Sequence, residues 1–225
     1  MYLQKFGITL KRLVIEDIEL IRQMRNSEDI NRFMNYRDYI TPEMQLDWFK
    51  RIDNINNFYF IIEYQGDKIG LVNDKDIDWK NKTSEGGLFI WDKRYRNSFI
   101  PLFVSVCVIE MSFYVLNWEK SIIKVLKSNK QAIDYNKRLG FVIYDDFDEG
   151  TIQMILTRES YETKAKKLTE AAMTLNPDSS AMILTLEPND FQTGLAGFIE
   201  DLLQKAPVKY DIKTENNNVF YIQRI

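Results

Sequence analysis

The sequence predicts an α/β fold of the α+β type, followed by a small α/β module at the C-terminal end. Segments typical of strands and of helices alternate up to residue 157. Beyond that point a charged stretch and an Asn-Pro-Asp-Ser-Ser turn precede a separate β-α-β-β succession. Apolar residues make up 45% and charged residues 28% of the 225-residue chain, the balance of an ordinary globular protein. We therefore expect two domains, residues 1–160 and residues 161–225.

The larger domain begins with a β-branched, alternating strand at 8–15. A helix is expected at 16–25, where apolar residues recur at helical spacing. A second helix follows at 41–52, because Thr41 is a favoured N-cap and Pro42 suits the first helical position. Two strands, 58–64 and 68–72, flank a Gln-Gly-Asp turn and form a hairpin.

The second half of this domain alternates strand and helix. A strand at 85–91 contains two glycines, which indicate a bulge or a close approach to the backbone. The strongly apolar stretch that follows predicts a buried helix at 101–116, with Pro101 in its first turn. The remaining elements are a strand at 121–126, a helix at 129–139 that Gly140 ends, and a closing hairpin at 141–144 and 151–156.

The C-terminal module has its own succession of elements. A helix-prone segment at 160–175 and a turn at 176–180 lead to an apolar run at 181–186. A helix with one apolar face follows, and two alternating runs at 208–214 and 219–225 meet across three asparagines. The sequence assigns no function to this module. Docking of a partner protein or of a second copy of the chain is a hypothesis.

Composition excludes several classes of function. The chain has no histidine, so Ser-His-Asp triads, Cys-His catalysis and HExxH zinc sites are impossible, and one cysteine cannot supply a structural zinc site. We therefore expect no metal. A net charge of −3 predicts no nucleic-acid partner. The apolar stretch 99–118 contains Glu110, and we interpret it as a buried helix and not as a membrane span. Cys107 within it is interpreted as core filler, and the protein is expected in the cytoplasm.

A set of short motifs in a fixed order carries a family resemblance. It resembles the GNAT superfamily of acyl-CoA N-acyltransferases, in particular bacterial amino-sugar N-acetyltransferases of the pseudaminic and legionaminic acid pathways and the related ribosomal-protein acetyltransferases. Gln45 replaces the histidine usual in one motif. The motifs are Arg25-Asn26 with Asp29-Ile30 and Phe33-Met34, Ile40-Thr41 with Trp48-Phe49, Ile69-Gly70 with Asp76-Ile77-Asp78, and Ser128-Asn129 with Ala132-Ile133 and Leu139-Gly140-Phe141.

The resemblance implies a fold and a reaction. The fold is a mixed central sheet, splayed between the fourth and fifth strands, with flanking helices. The expected reaction is transfer of an acetyl or related acyl group from acetyl-CoA to a primary amine, here that of an amino-sugar nucleotide. Two alternatives stay open: a GNAT-shaped binding module without coenzyme chemistry, and a protein N-terminal acetyltransferase.

The resemblance also implies residues for the coenzyme. The fourth strand would bind the pantetheine arm, and a loop before the central helix would bind the pyrophosphate. That loop lacks every glycine or alanine of the family pattern, so the coenzyme site is either reshaped or lost. Asn136 also stands where the family has a tyrosine as general acid. The expected coenzyme-binding residues are Leu88, Phe89, Ile90, Arg94, Arg96, Asn97, Ser98, Asn129 and Asn136.

The remaining candidates belong to the acceptor and to proton transfer. Glu85 is the expected base, with a solvated carboxylate at a strand end as the alternative. Arg25 would hold a phosphate or carboxylate of the acceptor, or else serve as an ion-pair partner. Asp76 and Asp78 would meet the amine, or else cap a turn. Aromatic side chains would line the acceptor pocket, or else belong to the core. The expected acceptor-site residues are Arg25, Asn26, Tyr36, Trp48, Asp76 and Asp78.

Overall fold

The structure is a computed structural model that describes residues 1–34, 36–146 and 148–224. The strands are β1 Tyr2–Lys5, β2 Ile8–Arg12, β3 Phe58–Tyr64, β4 Asp67–Asp78, β5 Thr83–Ile90, β6 Lys120–Leu126, β7 Val142–Asp146, β8 Thr151–Thr157, β9 Ile183–Leu186, β10 Tyr210–Glu215 and β11 Asn218–Gln223. The helices are α1 Ile18–Asn26, α2 Glu28–Asn31, α3 Pro42–Ile52, α4 Ile100–Glu110, α5 Lys130–Arg138, α6 Arg158–Ser160, α7 Lys166–Leu175, α8 Pro188–Gln192 and α9 Leu195–Gln204.

Most elements lie where the sequence predicts them, and the differences have local causes. The strand β1 was not predicted. It forms a hairpin with β2 across Phe6 and Gly7, both of which have positive φ. The predicted helix 101–116 is α4 followed by a π-helical turn at Met111–Val115. The predicted last strand ends at Gln223, and Ile225 lies outside the described residues.

One mixed sheet of eleven strands organises the chain, in the order β10-β11-β9-β1-β2-β3-β4-β5-β6-β8-β7. The β5–β6 pair is parallel, and the other neighbours are antiparallel. Pairing between β5 and β6 runs only from Thr83↔Lys120 to Gly86↔Ile123. The two strands then separate, so the predicted splay is confirmed. It lies between the fifth and sixth strands because β1 adds one to the count.

Each face of the sheet carries its own core, as the alternation in β3 shows. Phe58, Phe60 and Ile62 pack into the larger core with α4, whereas Tyr59 and Ile61 pack into a smaller core with α1 and α3. The helix α4 is buried on nearly all sides, in agreement with its uniformly apolar sequence. Among the described helices, none is both long and apolar enough to cross a bilayer.

The C-terminal segment continues the same sheet. β9 pairs with β1 on one side and with β11 on the other, which gives the predicted β-α-β-β order. A buried ion pair also joins the first strand to the central helix, with Lys5 Nζ 3.0 Å from Glu110 Oε2. Lys5 donates to the Ser180 carbonyl as well, and the Tyr161 hydroxyl donates to Glu110. The division into two domains at residue 160 stays a prediction.

Candidate active site

A cavity of about 870 Å³ crosses the sheet where β5 and β6 separate. Successive residues of β5 point to opposite faces of the sheet, so the strand divides the wall of the cavity into two sides. Gly86 and Leu88 lie on the side of α4 and α5. The side of α1 and α3 has Glu85, Gly87 and Phe89. We call the first side the donor half and the second the acceptor half. The cavity therefore opens to both faces of the sheet through one gap.

Two glycines keep the floor of the gap clear. A Cβ built at Gly86 would lie 3.4 Å from Ile123 and 3.5 Å from Ser121 Oγ, so a larger side chain there would fill the gap. A Cβ at Gly87 would lie 2.8 Å from Asn73 Oδ1. Glycine at both positions lets another molecule approach the strand backbone closely.

The donor half is formed by β5, β6, α4 and α5. Leu88 lines it from β5, and Asn129 and Asn136 line it from α5. The Asn129 side chain caps α5 by accepting from the Ala132 N–H at 3.1 Å. Asn136 Nδ2 donates to the Ala132 carbonyl at 2.8 Å. These two predicted coenzyme residues thus lie at the cavity, and Phe89 lines its other half.

The predicted pyrophosphate loop does not line the cavity. Arg96 Nε and one of its terminal nitrogens donate to the Ile90 and Trp91 carbonyls at 2.9 and 2.7 Å. Arg94 forms ion pairs with Asp67 and Asp92. Both arginines therefore have protein partners.

The other predicted coenzyme residues near this loop also lie off the cavity. Ser98 Oγ accepts from the Ile100 N–H at 3.1 Å, which satisfies a donor at the start of α4. Ile90 is buried in the core. Asn97 does not line the cavity either. The coenzyme roles of these three residues, like those of Arg94 and Arg96, stay predictions that this geometry does not favour.

The acceptor half contains two buried donors without partners among the described residues. Arg25 from α1 lines the cavity, and its buried Nε has no hydrogen-bond acceptor. Burial lowers the pKa of Arg25, although a guanidinium stays charged in proteins. The buried Gln45 Nε2 on α3 is likewise unpartnered and lines the same half. The alternative interpretation of Arg25 as an ion-pair partner finds no carboxylate among the described residues.

Aromatic side chains complete the acceptor half. Trp48 and Tyr59 meet edge to face, with ring centroids 5.2 Å apart, and Tyr36 lies at the more exposed end. Burial raises the pKa of Tyr59 to about 12, so its phenol stays protonated. Two of the predicted acceptor residues, Tyr36 and Trp48, thus line the same cavity as Arg25.

Three predicted acceptor residues have structural partners instead. The Asn26 side chain bonds both the carbonyl and the N–H of Ile40, each at 2.9 Å, and so fixes the chain before α3. Asp78 accepts from the N–H groups of Lys80 and Asn81, which matches the turn-capping alternative. Asp76 pairs with Lys75, and neither aspartate lines the cavity.

Glu85, the predicted base, lies in the cavity wall between two lysines. Its Oε1 is 2.7 Å from Lys75 Nζ, and its Oε2 is 2.7 Å from Lys124 Nζ. Burial lowers the pKa of Lys75, but its bonds to Asp76 and Glu85 outweigh that effect and raise it overall. Both carboxyl oxygens of Glu85 are thus engaged, and the side chain orients two lysines. Its role as the base stays a prediction.

Residues outside the predicted set also line the cavity. Asp74 on β4 is fully buried and bonded to Ser84 and Ser112. The Tyr135 hydroxyl is committed to the Pro101 carbonyl at 2.9 Å and to Ser105 Oγ at 2.8 Å. Period-two alternation from Val72 places Asp74 on the donor side. Leu71 and Val72 are both apolar, however, so the sequence does not show which face is buried.

Comparison with known proteins places the chain among acetyltransferases. The profile of the acetyltransferase (GNAT) domain matches residues 8–142. The chain is 26% identical to the spermidine N(1)-acetyltransferase of Escherichia coli K12 over 138 residues. That alignment covers 61% of this chain and 74% of the Escherichia coli protein. The profile match, residues 8–142, spans the part of the chain that builds the cavity.

Solved structures share the fold. The spermidine N-acetyltransferase of Vibrio cholerae, in complex with CoA and spermine, superposes with a TM-score of 0.59 at 21% identity, over 70% of this chain and 99% of that one. Apo FdhC, described as a nucleotide-linked sugar GNAT, superposes with a TM-score of 0.63 at 20% identity, over 75% and 96%. At these identities the likeness supports the fold alone.

The donor half fits the co-substrate that this family uses. A linear pantetheine arm needs a narrow gap beside exposed strand backbone, and the gap at Gly86 and Gly87 provides one. Leu88, Asn129 and Asn136 are the residues that would hold it, and acetyl-CoA supplies the acyl group. The domain profile covers more than half of the chain and the splayed sheet agrees with it. The chain therefore belongs to the GNAT acetyltransferase family, as an N-acetyltransferase that uses acetyl-CoA.

Proposed function

We propose that this N-acetyltransferase acetylates a primary amine on a molecule that also carries an anionic group, most specifically an amino-sugar nucleotide. One observation carries the proposal: the half-buried Arg25 side chain lines the acceptor half with a buried, unpartnered Nε and without a carboxylate partner among the described residues. A desolvated cation is costly unless an anion or hydrogen-bond acceptor meets it. A phosphate or carboxylate of the acceptor would supply both.

The charges around the acceptor half favour the same class of acceptor. Arg25, Arg51 and Lys75 line this half, against the carboxylates of Asp47 and Glu85, and Glu85 is already paired with lysines. A polyamine would bring additional positive charge against the unpaired Arg25. The Gln45 amide adds a donor for a sugar hydroxyl. Trp48 and Tyr59 offer apolar rings for a base or sugar face.

The chain's residues then have defined tasks in the reaction. Arg25 would orient the acceptor so that its amine reaches the gap at Gly86 and Gly87. Glu85 and Lys75 would line the point where acceptor and donor meet. Correct placement of the two reactants can by itself supply a large part of the rate enhancement.

An acceptor comparison tests the proposal. With acetyl-CoA fixed, kcat/KM is measured for a nucleoside-diphosphate-linked amino sugar, the same amino sugar without the nucleotide, and spermidine. We expect the nucleotide-linked acceptor to be preferred by at least about tenfold. Losing one hydrogen bond to a charged group costs about 1.5–3 kcal/mol, so Arg25→Met should lower its kcat/KM by about 10–150-fold.

A control separates Arg25 from the general charge of this region. Lys50→Met removes an exposed cation from α3, outside the cavity, and should leave all three acceptors unchanged within about twofold. Preference for spermidine over both sugars would overturn the proposal. An equal loss for all acceptors in Arg25→Met would do the same, because it would show a structural role.

A further inference from the structure

A buried polar cluster lies in the donor half, directly behind the point where β5 and β6 separate. Asp74, Ser84, Ser112 and Ser121 have exposed fractions of 2%, 3%, 2% and 4%. Asp74 Oδ1 lies 3.8 Å from the position of a Cβ at Gly86, and Ser121 Oγ lies 3.5 Å from it. Asp74, Ser112 and Ser121 all line the cavity. An acidic group therefore reaches the gap without contact with bulk water.

The hydrogen bonds of this cluster can accommodate a proton on Asp74. Ser112 Oγ lies 2.8 Å from the Val108 carbonyl, which only accepts, and it also contacts Asp74 Oδ2. Ser112 has one hydroxyl proton and two acceptors, so when it donates to Val108 its contact with Asp74 is completed by a proton on the carboxyl. Ser84 Oγ donates to the other carboxyl oxygen, Oδ1, at 2.9 Å. In that arrangement a neutral carboxylic acid on Asp74 has a hydrogen-bond partner at each oxygen, Ser84 at Oδ1 and Ser112 at Oδ2.

Among the residues that the structure describes, no charged group offsets the burial of Asp74. Desolvation raises its pKa, and only the bonds from Ser112 and Ser84 oppose that shift. Its neighbours in the sheet are Phe58 on β3 and Gly86 on β5. By the alternation of side chains along β4 and β5, Lys75 and Glu85 lie on the opposite face of the sheet. From α5 the titratable Tyr135 is bonded to Pro101 and Ser105.

We propose that Asp74 is the proton donor that neutralises the CoA thiolate as it leaves. The acceptor nitrogen forms the new N–C bond, the C–S bond breaks, and its electron pair goes to sulfur. Asp74 gives its carboxyl proton to that sulfur, and the proton lost from the acceptor nitrogen returns to the carboxylate through water. Asp74 thereby takes the task of the tyrosine for which this chain has Asn136.

This proposal rests on acetyl transfer from acetyl-CoA and not on the charge of the acceptor. Its test is Asp74→Asn, which keeps the shape and the hydrogen bonds, because the amide can donate to Ser112 and accept from Ser84. Thiol release is measured with the best acceptor found, whichever class that is. We expect kcat to fall about 100-fold or more with KM for acetyl-CoA unchanged.

The pH profile distinguishes proton donation from a structural role. The kcat of the parent protein should decrease at alkaline pH as Asp74 ionises. In Asp74→Asn this alkaline decrease should be absent. Tyr135→Phe removes another buried hydroxyl from the same cavity and should keep the parent profile. An unchanged kcat in Asp74→Asn, or the same alkaline limb in the variant, would overturn the proposal.

Two further measurements do not depend on any acceptor. The infrared spectrum of the whole protein at neutral pH should show the carbonyl band of a protonated carboxylic acid, absent in Asp74→Asn. Burial raises the pKa of Asp74 in the folded protein above its value in the unfolded chain. The contribution of protonated Asp74 to the free energy of unfolding is therefore complete below about pH 4 and is lost as the pH rises through the folded-state pKa. Asp74→Asn should therefore gain stability relative to the parent as pH rises. Absence of the band and of the gain would refute a neutral Asp74.

Discussion

Breaking the ion pair between Lys5 and Glu110 should strongly destabilise the protein. The two side chains have exposed fractions of 1% and 6%, and their charged atoms are 3.0 Å apart. Removing one partner of a buried pair leaves an uncompensated charge, which costs about 3–5 kcal/mol. In a chain of this size each kcal/mol lowers Tm by about 2–4 °C, so Lys5→Met or Glu110→Gln should lower it by about 6–20 °C.

The assay is urea and thermal unfolding followed by circular dichroism. The double variant Lys5→Met/Glu110→Gln should lose less than either single variant, because no unpaired charge remains. Lys213→Met serves as the control. It breaks a pair with Glu215 whose side chains are 62% and 53% exposed, and it should cost less than about 1 kcal/mol. Single variants at Lys5 and Glu110 that each cost less than about 1 kcal/mol would refute the reasoning.

Two further predictions concern the cavity and the helix behind it. Gly86→Val places a branched side chain against Ile123 and Ser121, and should raise KM for acetyl-CoA at least about tenfold, measured by steady-state kinetics, with Gly197→Ala as a control outside the cavity. An unchanged KM would show that the gap is not the donor site. Cys107 is fully buried, and burial raises its pKa to about 12, so mass spectrometry should find it unmodified by iodoacetamide at pH 8 until urea unfolds the chain. Rapid native labelling would contradict its assignment to the core.

The sequence alone supports most of the fold, because alternation and helix-start signals are local. Thr41, for example, accepts from the Met44 N–H as its N-cap position predicts. The sequence does not predict β1, because the strand has only four residues and is stabilised by pairing with β2 on one side and β9 on the other. The splay follows from the family resemblance, since no local pattern shows where two parallel strands part.

The site is less predictable than the fold, because partners distant in sequence decide the task of each charged side chain. Arg25 and Arg96 look alike in the sequence, yet Arg96 bonds two carbonyls whereas the buried Nε of Arg25 has no partner in the described part of the chain. Asn26 and Asp78 have local structural tasks that motif matching cannot separate from binding. The sequence does not indicate a role for Asp74, because Ser112, which contacts it in the fold, lies 38 residues further along the chain.

The opening through the sheet also separates what determines the choice of each reactant. Apart from the strands, the acceptor half is built by one continuous stretch, from Ile21 to Arg51, whereas the donor half is built by α4, β6 and α5. The amine and the thioester would thus enter the cavity from opposite faces of the sheet. Exchange of residues 21–51 between relatives should therefore change which amine is accepted and leave the KM for acetyl-CoA unchanged. In this way one scaffold can acquire new acceptors without changes to its coenzyme site.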